Sequence, residues 1–319
     1  MKRVYIELVT ACNFNCDFCP YRLLTRHKSV MSLDHLEKIL KELQQVEDIE
    51  YVMFSAMGEP LLHPQFLRAC ELVKQYGFKL YVTTNGSLLS QAQRTAPIDR
   101  LYISFQTPSE RSFEHRHAPA LTYQEYLKKI KSFTDGDHPP IMLYVMGTGL
   151  HPIRAFNKGF MDFPLHYPDR EKTYDILNAI GIYFEPEFKG ITNSAHDFYT
   201  DRYIPLRDKL YLCCSELGNW CNLFLPDGFQ CSEARTIMPR SCDFFVNQIV
   251  ILANGDVTFC CMDYNGDMAQ GNIMEEKLAD IVKRKEKLDD LGQFALCRTC
   301  RGNVVRTVQT ASQEAQAKR

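Results

Sequence analysis

From residue 4 to residue 184 the chain alternates short β-rich runs with helical ones, and nothing else in it restricts the fold as strongly. β-rich runs occur at 4–10, 51–55, 79–84, 101–106, 141–146 and 182–184. Helical patterning falls between them at 33–46, 64–76, 88–94, 123–133 and 171–179. In the first of these, Leu33, Leu36, Ile39, Leu40 and Leu43 recur at helical spacing, and Ser32 stands where an N-cap belongs. Strands that alternate with helices pair in parallel through right-handed crossovers. Six such units make a partial, open barrel, and its active residues belong at the C-terminal ends of the strands.

A chain of 319 residues, 45% hydrophobic and 24% charged, has the profile of a globular protein with a large core. Its net charge of −2 offers no general attraction to nucleic acid or to an anionic membrane. Thirteen cysteines are many for this length, and the odd total fits complete pairing poorly. The N-terminus runs straight into a strand without a signal peptide, and no apolar stretch is long enough to span a bilayer. Clustered cysteines in such a chain read as metal ligands rather than disulfides, and the expected location is cytoplasmic.

Three of the cysteines, Cys12, Cys16 and Cys19, lie in one loop directly after the first strand. Thiolate sulfur is the ligand iron–sulfur clusters take from proteins, and three thiolates leave one iron of a cube without a protein ligand. A zinc site or a group of buried cysteines is the alternative, although zinc sites usually pair C-x2-C with a second, distant pair. The C-x3-C-x2-C spacing, with the aromatic Phe18 before the last cysteine, resembles the cluster loop of the radical S-adenosylmethionine (radical SAM) enzymes. The resemblance implies a partial (β/α)6 TIM-like barrel, a [4Fe–4S] cluster and SAM. It also implies SAM cleavage to a 5′-deoxyadenosyl radical that abstracts a substrate hydrogen atom.

Further strand ends carry residues similar to that family's. After the second strand, Gly58, Glu59 and Pro60 resemble the end of a Gly-Gly-Glu-Pro motif that binds the SAM amino group, with Ala56 or Met57 in place of the usual first glycine. A carbonyl and a carboxylate suit an ammonium group, whereas a plain Gly/Pro turn is the alternative. Thr84 and Asn85 after the third strand, and Ser104 and Gln106 at the fourth, stand where the family contacts its cofactor. They are equally readable as strand ends entering turns. Arg116 and His117 are left open between substrate or SAM contacts and surface residues.

A second constellation begins at Cys242. It is followed by an apolar run, the hairpin signal Asn254-Gly255, Cys260-Cys261, a helical stretch near 278–287, and Cys297-x2-Cys300. Cys242, Cys260, Cys297 and Cys300 supply four thiolates, enough to close a cube completely; a zinc ribbon uses the same four. The arrangement is similar to the SPASM/Twitch domains of radical SAM enzymes, in the shorter Twitch form. That implies one auxiliary [4Fe–4S] cluster suited to electron transfer. Cys261 is left over as a spare ligand, a buried small residue, or a hydrogen-atom donor to a substrate radical. Cys213, Cys214, Cys221 and Cys231 form no close metal knuckle and read as reduced cysteines.

The expected organisation is therefore a barrel over 1–187, a bridging, substrate-shaping segment over 188–241, a cluster domain over 242–303 and a tail over 304–319. The early start of the first strand leaves no room for an N-terminal peptide-recognition domain. The expected substrate is accordingly small and polar, a sugar, aminocyclitol or nucleoside, oxidised or epimerised. A peptide is the alternative substrate, and the expected electron source is a flavodoxin- or ferredoxin-type donor. A reading from another class, an iron–sulfur electron carrier or zinc-stapled binding module, has no use for the Gly58-Glu59-Pro60 turn.

Overall fold

A computed structural model describes residues 2–119, 121–147, 153–155, 170–191, 203–216, 229–231, 242–288 and 290–299. Its strands are β1 (Arg3–Ile6), β2 (Tyr51–Phe54), β3 (Leu80–Thr84), β4 (Arg100–Gln106), β5 (Ile141–Gly147), β6 (Ile153–Ala155), β7 (Ile204–Arg207), β8 (Leu210–Glu216), β9 (Phe229–Cys231), β10 (Gln248–Ile251) and β11 (Val257–Thr258). The α-helices are α1 (Leu33–Leu43), α2 (Phe66–Gln75), α3 (Gln91–Arg94), α4 (Glu110–Phe113), α5 (Tyr123–Thr134), α6 (Arg170–Phe184), α7 (Asp243–Asn247), α8 (Leu278–Glu286) and α9 (Ala295–Thr299). Nine strands form one sheet in the order β11-β10-β1-β2-β3-β4-β5-β8-β7, and β6 pairs with β9 separately.

The strands from β1 to β5 pair in parallel, and β8 joins β5 in parallel as the sixth member. This is the partial (β/α)6 arrangement expected. One expectation fails in detail. Residues 182–184 are not the sixth strand but the last turn of α6, where Phe184 packs edge-on against Phe105 at 5.8 Å. The sixth strand is β8, inside the segment read as bridging. β7 folds back on it antiparallel across the turn at Asp208 and Lys209.

Each strand sends one row of side chains to the helices and one to the barrel interior, because neighbours along a strand point to opposite faces. Val4, Ile6, Val52, Phe54, Leu80, Val82, Leu101, Ile103, Ile141 and Leu143 belong to the large core beneath the helices. Met53, Tyr102, Met142 and Cys213 form a second cluster with Tyr5, Tyr51, Tyr81, Tyr144 and Tyr211 on the interior face. The helix ends follow the sequence signals. The Ser32 side chain accepts from the backbone of His35, and Thr122 and Glu125 close a capping box on α5.

The C-terminal hairpin is grafted onto the barrel. β10 pairs with β1 in parallel, Arg3 opposite Gln248, and β11 turns back antiparallel across Asn254-Gly255. A buried ion pair fastens the junction. Arg26 reaches both oxygens of Glu7 and the carbonyl of Tyr264, and Glu7 also accepts from the backbone of Ala253 at 3.0 Å. Among the described residues no helix is long and apolar enough to cross a membrane.

Candidate active site

The loop after β1 carries Cys12, Cys16 and Cys19 at the C-terminal end of the sheet, and three neighbouring segments hold it. Gly58, after β2, lies so close to it that a Cβ would stand 2.1 Å from the Val9 carbonyl oxygen and 2.8 Å from that of Ala11. Its φ of +78° is also one that glycine adopts freely. The next residue, Glu59, donates its backbone N–H to Ala11 at 2.9 Å. Ala56, two residues before Gly58, sits at φ +122°, a conformation that favours glycine.

Glu59 is 1% exposed. Its carboxylate accepts from Leu61 N at 3.0 Å, Thr84 Oγ1 at 2.7 Å and Asn85 N at 2.7 Å. Burial pushes its pKa up while these donors pull it back. Thr84 and Asn85, singled out separately from the sequence, are thus tied to Glu59 by its own side chain. Asn85 continues to the cysteine loop, donating to Asn13 Oδ1 at 2.9 Å and to Cys12 Sγ at 3.9 Å. Pro60 opens a short 3-10 turn. Phe18 is buried in the loop itself.

The segment after α4 supplies what spacing did not reveal. Asp17 accepts from His115 Nδ1 at 2.9 Å and His117 Nε2 at 2.7 Å. Burial works against its charge, but these two hydrogen bonds hold its carboxyl below the usual range. The backbones of Asn15 and Asp17 donate to the carbonyls of Arg116 and His115. Arg116 is only 2% exposed. Its Nη1 donates to the carbonyls of Ser104 at 2.5 Å and Phe105 at 3.0 Å, its guanidinium lies 4.9 Å from the centre of the Phe14 ring, and its charge acts on Cys16, partly offsetting the burial that raises that thiol's pKa. Its Nε, fully buried, has no partner. Ser104 and Gln106 project on the interior face of β4, and Gln106 holds a φ of +49° beside a register shift between β4 and β5.

These residues fit the cluster that the donor set calls for. All three thiols are pushed up by burial, Cys12 to about 11, so they stay protonated until a metal takes them as thiolates and releases the protons. Among the described residues no three His, Cys, Asp or Glu groups converge tightly enough for a single metal ion. The buried charge of Arg116, whose Nε has no partner, matches a site whose sulfurs are negative. A cavity of about 670 Å³ opens against the loop, with Cys12, Asn13, Phe14, Tyr21 and Tyr123 in its wall.

In the C-terminal region Cys260 and Cys297 share an apolar cluster with Met268 and Leu296, while Cys242 precedes α7. Cys300 lies outside the described residues, as do Cys221 and the tail. Cys261 turns the other way, towards Gln248 and Tyr5, with its thiol pushed up to about 12 by burial and by Cys260. Cys260 is therefore the residue that faces Cys297. Cys261 stands at the N-terminal end of the barrel strands, beside the pair Arg3–Gln248.

Comparison with known proteins agrees with this geometry. The chain belongs to the radical SAM superfamily, whose family model matches residues 6–152. Residues 242–301 match the SPASM iron–sulfur cluster-binding domain. The cofactors that accompany these two domains are SAM, a [4Fe–4S] cluster and an auxiliary iron–sulfur cluster. The tungsten-containing aldehyde ferredoxin oxidoreductase cofactor-modifying protein of Pyrococcus furiosus is 28% identical over 148 residues, 44% of this chain and 42% of that one. An S-adenosylmethionine-dependent nucleotide dehydratase of a Thermoplasmatales archaeon (strain ISO4-H5) is 34% identical over 110 residues, 33% of this chain and 38% of that one. The match thus spans less than half the length of these curated relatives. Among solved structures, BtrN in complex with AdoMet and 2-DOIA superposes with a TM-score of 0.56 at 16% identity, covering 96% of this chain and 94% of that one. SuiB of Streptococcus suis bound to precursor peptide SuiA gives 0.54 at 15% identity, covering 96% and 72%.

Proposed function

We propose that this chain is an enzyme that abstracts a hydrogen atom from a carbon of a small polar substrate, a sugar, aminocyclitol or nucleoside, and oxidises it. The observation that carries the reading is the meeting of Cys12, Cys16 and Cys19 with Glu59, Thr84, Asn85 and Arg116 at one end of the parallel strands. When bound, the first cluster supplies the electron that splits SAM into methionine and the 5′-deoxyadenosyl radical that takes the hydrogen atom. The protein's own part is to hold that site. Cys12, Cys16 and Cys19 would hold the first cluster, and Glu59 fixes the β3 end through Thr84 and Asn85. Gly58 lets the β2 loop close on the cysteine loop. Ser104 and Gln106 offer hydroxyl and amide groups from β4 to the cofactor.

Cys242, Cys260, Cys297 and Cys300 would hold the auxiliary cluster, which would supply an electron acceptor for an oxidation. Cys261 keeps its proton, as a hydrogen-atom donor must, but it lies at the opposite end of the strands from the first cluster loop. That placement favours oxidation over epimerisation through this thiol. The electron for SAM cleavage comes from a flavodoxin- or ferredoxin-type donor.

The test is anaerobic reconstitution with iron and sulfide, then addition of dithionite and SAM. Formation of 5′-deoxyadenosine is expected from wild type and not from Cys16→Ala. A chain that holds both clusters yet forms none is an electron carrier and not this enzyme. Hydrogen transfer from a peptide, with none from any sugar, aminocyclitol or nucleoside, would move the substrate to the alternative class.

A further inference from the structure

Each strand from β1 to β5 places a tyrosine on the interior face of the barrel: Tyr5, Tyr51, Tyr81, Tyr102 and Tyr144. Their rings form a row across the strands. Tyr51 stacks on Tyr81 at 4.3 Å and 21°, Tyr81 meets Tyr102 edge-on at 6.1 Å, and Tyr102 lies 5.5 Å from Tyr144. Tyr5 packs in the same cluster and continues the row past Tyr51 to Cys261, which turns towards it. At the other end Tyr144 follows Leu143, the partner of Ile103, and so stands level with Ser104. Tyr203, 41% exposed, lies beside Tyr102 and Tyr144 and brings the row to the surface.

Packing alone does not explain the phenols. β2 and β4 send Phe54 and Phe105 to the helix side, yet among the described residues no phenylalanine joins the interior cluster. A ring fills space as well without its hydroxyl, and a buried hydroxyl costs free energy unless it is hydrogen-bonded. What the hydroxyl adds is an oxidisable O–H group. Burial raises the pKa of Tyr5, Tyr51 and Tyr144 and pushes Tyr102 up to about 12, so these phenols keep their protons at neutral pH. A phenol O–H bond is weaker than an aliphatic C–H bond and close in strength to a thiol S–H bond.

We propose that this row is a radical drain, which carries an oxidising equivalent phenol by phenol from the level of Ser104 to the sulfur of Cys261. It rests on the radical reading above for its oxidant, a carbon-centred radical that has found no substrate. That radical takes a hydrogen atom from Tyr144, closing its own valence as a C–H bond, and Tyr144 becomes a phenoxyl. At each later step the next phenol supplies one electron and one proton and becomes the phenoxyl in turn. Cys261 ends the sequence by giving its hydrogen atom to Tyr5, which leaves a thiyl at the far end of the strands. One electron from the low-potential donor and one proton restore the thiol. A ring that has lost electron and proton together is neutral, so the guanidinium of Arg100, 5.0 Å from the Tyr81 ring, does not oppose the passage.

The experiment injects the oxidising equivalent with light and needs no SAM. A soluble ruthenium photo-oxidant with a sacrificial quencher oxidises the reconstituted full chain carrying Tyr5→3-aminotyrosine, a reporter whose radical has its own paramagnetic resonance spectrum. The reporter radical is expected to form, and to fall at least tenfold when Tyr81→Phe or Tyr51→Phe is added, since each keeps the ring and removes the hydroxyl. Tyr203→Phe is expected to lower it several-fold by removing the surface entry. Tyr183→Phe, at a phenol 38% exposed and outside the row, is expected to leave it unchanged. With Tyr5 native, Cys261→Ser is expected to lengthen the life of the tyrosyl signal at least tenfold. A reporter yield unchanged by Tyr81→Phe, Tyr51→Phe and Tyr203→Phe overturns the proposal, and so does a tyrosyl lifetime unchanged by Cys261→Ser. Formation of 5′-deoxyadenosine by wild type is scored separately, so failure of the radical reading is distinguishable from failure of the tyrosine row.

Discussion

Replacing Arg116 by Met should lower the reduction potential of the first cluster by roughly 100 mV. The guanidinium is buried, its charge acts on Cys16, and it has one nitrogen with no partner. A unit charge about 6 Å from the added electron, at an effective dielectric near 20, is worth about 3 kcal/mol. At 59 mV per ~1.4 kcal/mol for one electron, that is about 120 mV. The sign is fixed by charge: a cation favours the reduced, more negative state, so its loss makes reduction harder. Methionine fills much of the same volume without the charge, and Arg116→Lys should restore part of the shift. The assay is a redox titration followed by electron paramagnetic resonance, on samples matched for iron. A shift below about 20 mV with the cluster intact, or a shift to higher potential, would refute the electrostatic role. Arg116 would then act only by tying the carbonyls of Ser104 and Phe105 to the cysteine loop.

Other outcomes follow from the same geometry. Gly58→Ala forces a Cβ against the Val9 carbonyl at a positive φ, and it should cost at least about 2 kcal/mol of stability and most of the first cluster's iron; full iron content and an unchanged melting temperature would contradict the close approach. Cys260→Ser should reduce iron from about eight to about four per chain, whereas Cys261→Ser should keep about eight, and the reverse pattern would exchange their assignments. Lys285 is buried against Phe245 and Phe259, and burial lowers its pKa from the ordinary 10.5 to about 8. The unfolded chain therefore binds more protons than the folded one between pH 8 and 10.5, so this lysine's penalty is full below pH 8 and fades as pH rises. Lys285→Met should accordingly be the more stable protein at pH 7 by chemical denaturation, with the difference shrinking towards pH 10; a difference that grows with pH would be wrong in sign.

What could be read from the sequence was what chain-local spacing determines. Cys12, Cys16 and Cys19 share one loop, Ser32 caps the helix it precedes, and Asn254-Gly255 turns the C-terminal hairpin. Thr84 and Asn85 were legible as a strand end, but their link to Glu59 was not, because it joins residues about 25 apart through a buried carboxylate. Arg116 and the pairing of Asp17 with His115 and His117 lie still further off, as contacts across about a hundred residues. A lone arginine has no periodicity to betray it. The misplaced sixth strand has a local cause: Ile182-Tyr183-Phe184 has strand-like composition, yet packing of Phe184 against Phe105 overrides that preference within α6. β8 lies in the stretch read as bridging, where the alternation of strand-like and helical runs stops, so it was not read as a strand. Nothing in the sequence said that the C-terminal hairpin extends the barrel sheet beside β1, since strand neighbours distant in sequence are set by packing.

The central claim is that the first cysteine loop leaves one iron for SAM to ligate, and electron–nuclear double resonance with SAM labelled in its amino nitrogen and carboxylate oxygen tests it most directly. The reduced, reconstituted chain is predicted to show coupling of both labelled atoms to the first cluster. That cluster observed with SAM bound and no coupling to either label would contradict the account.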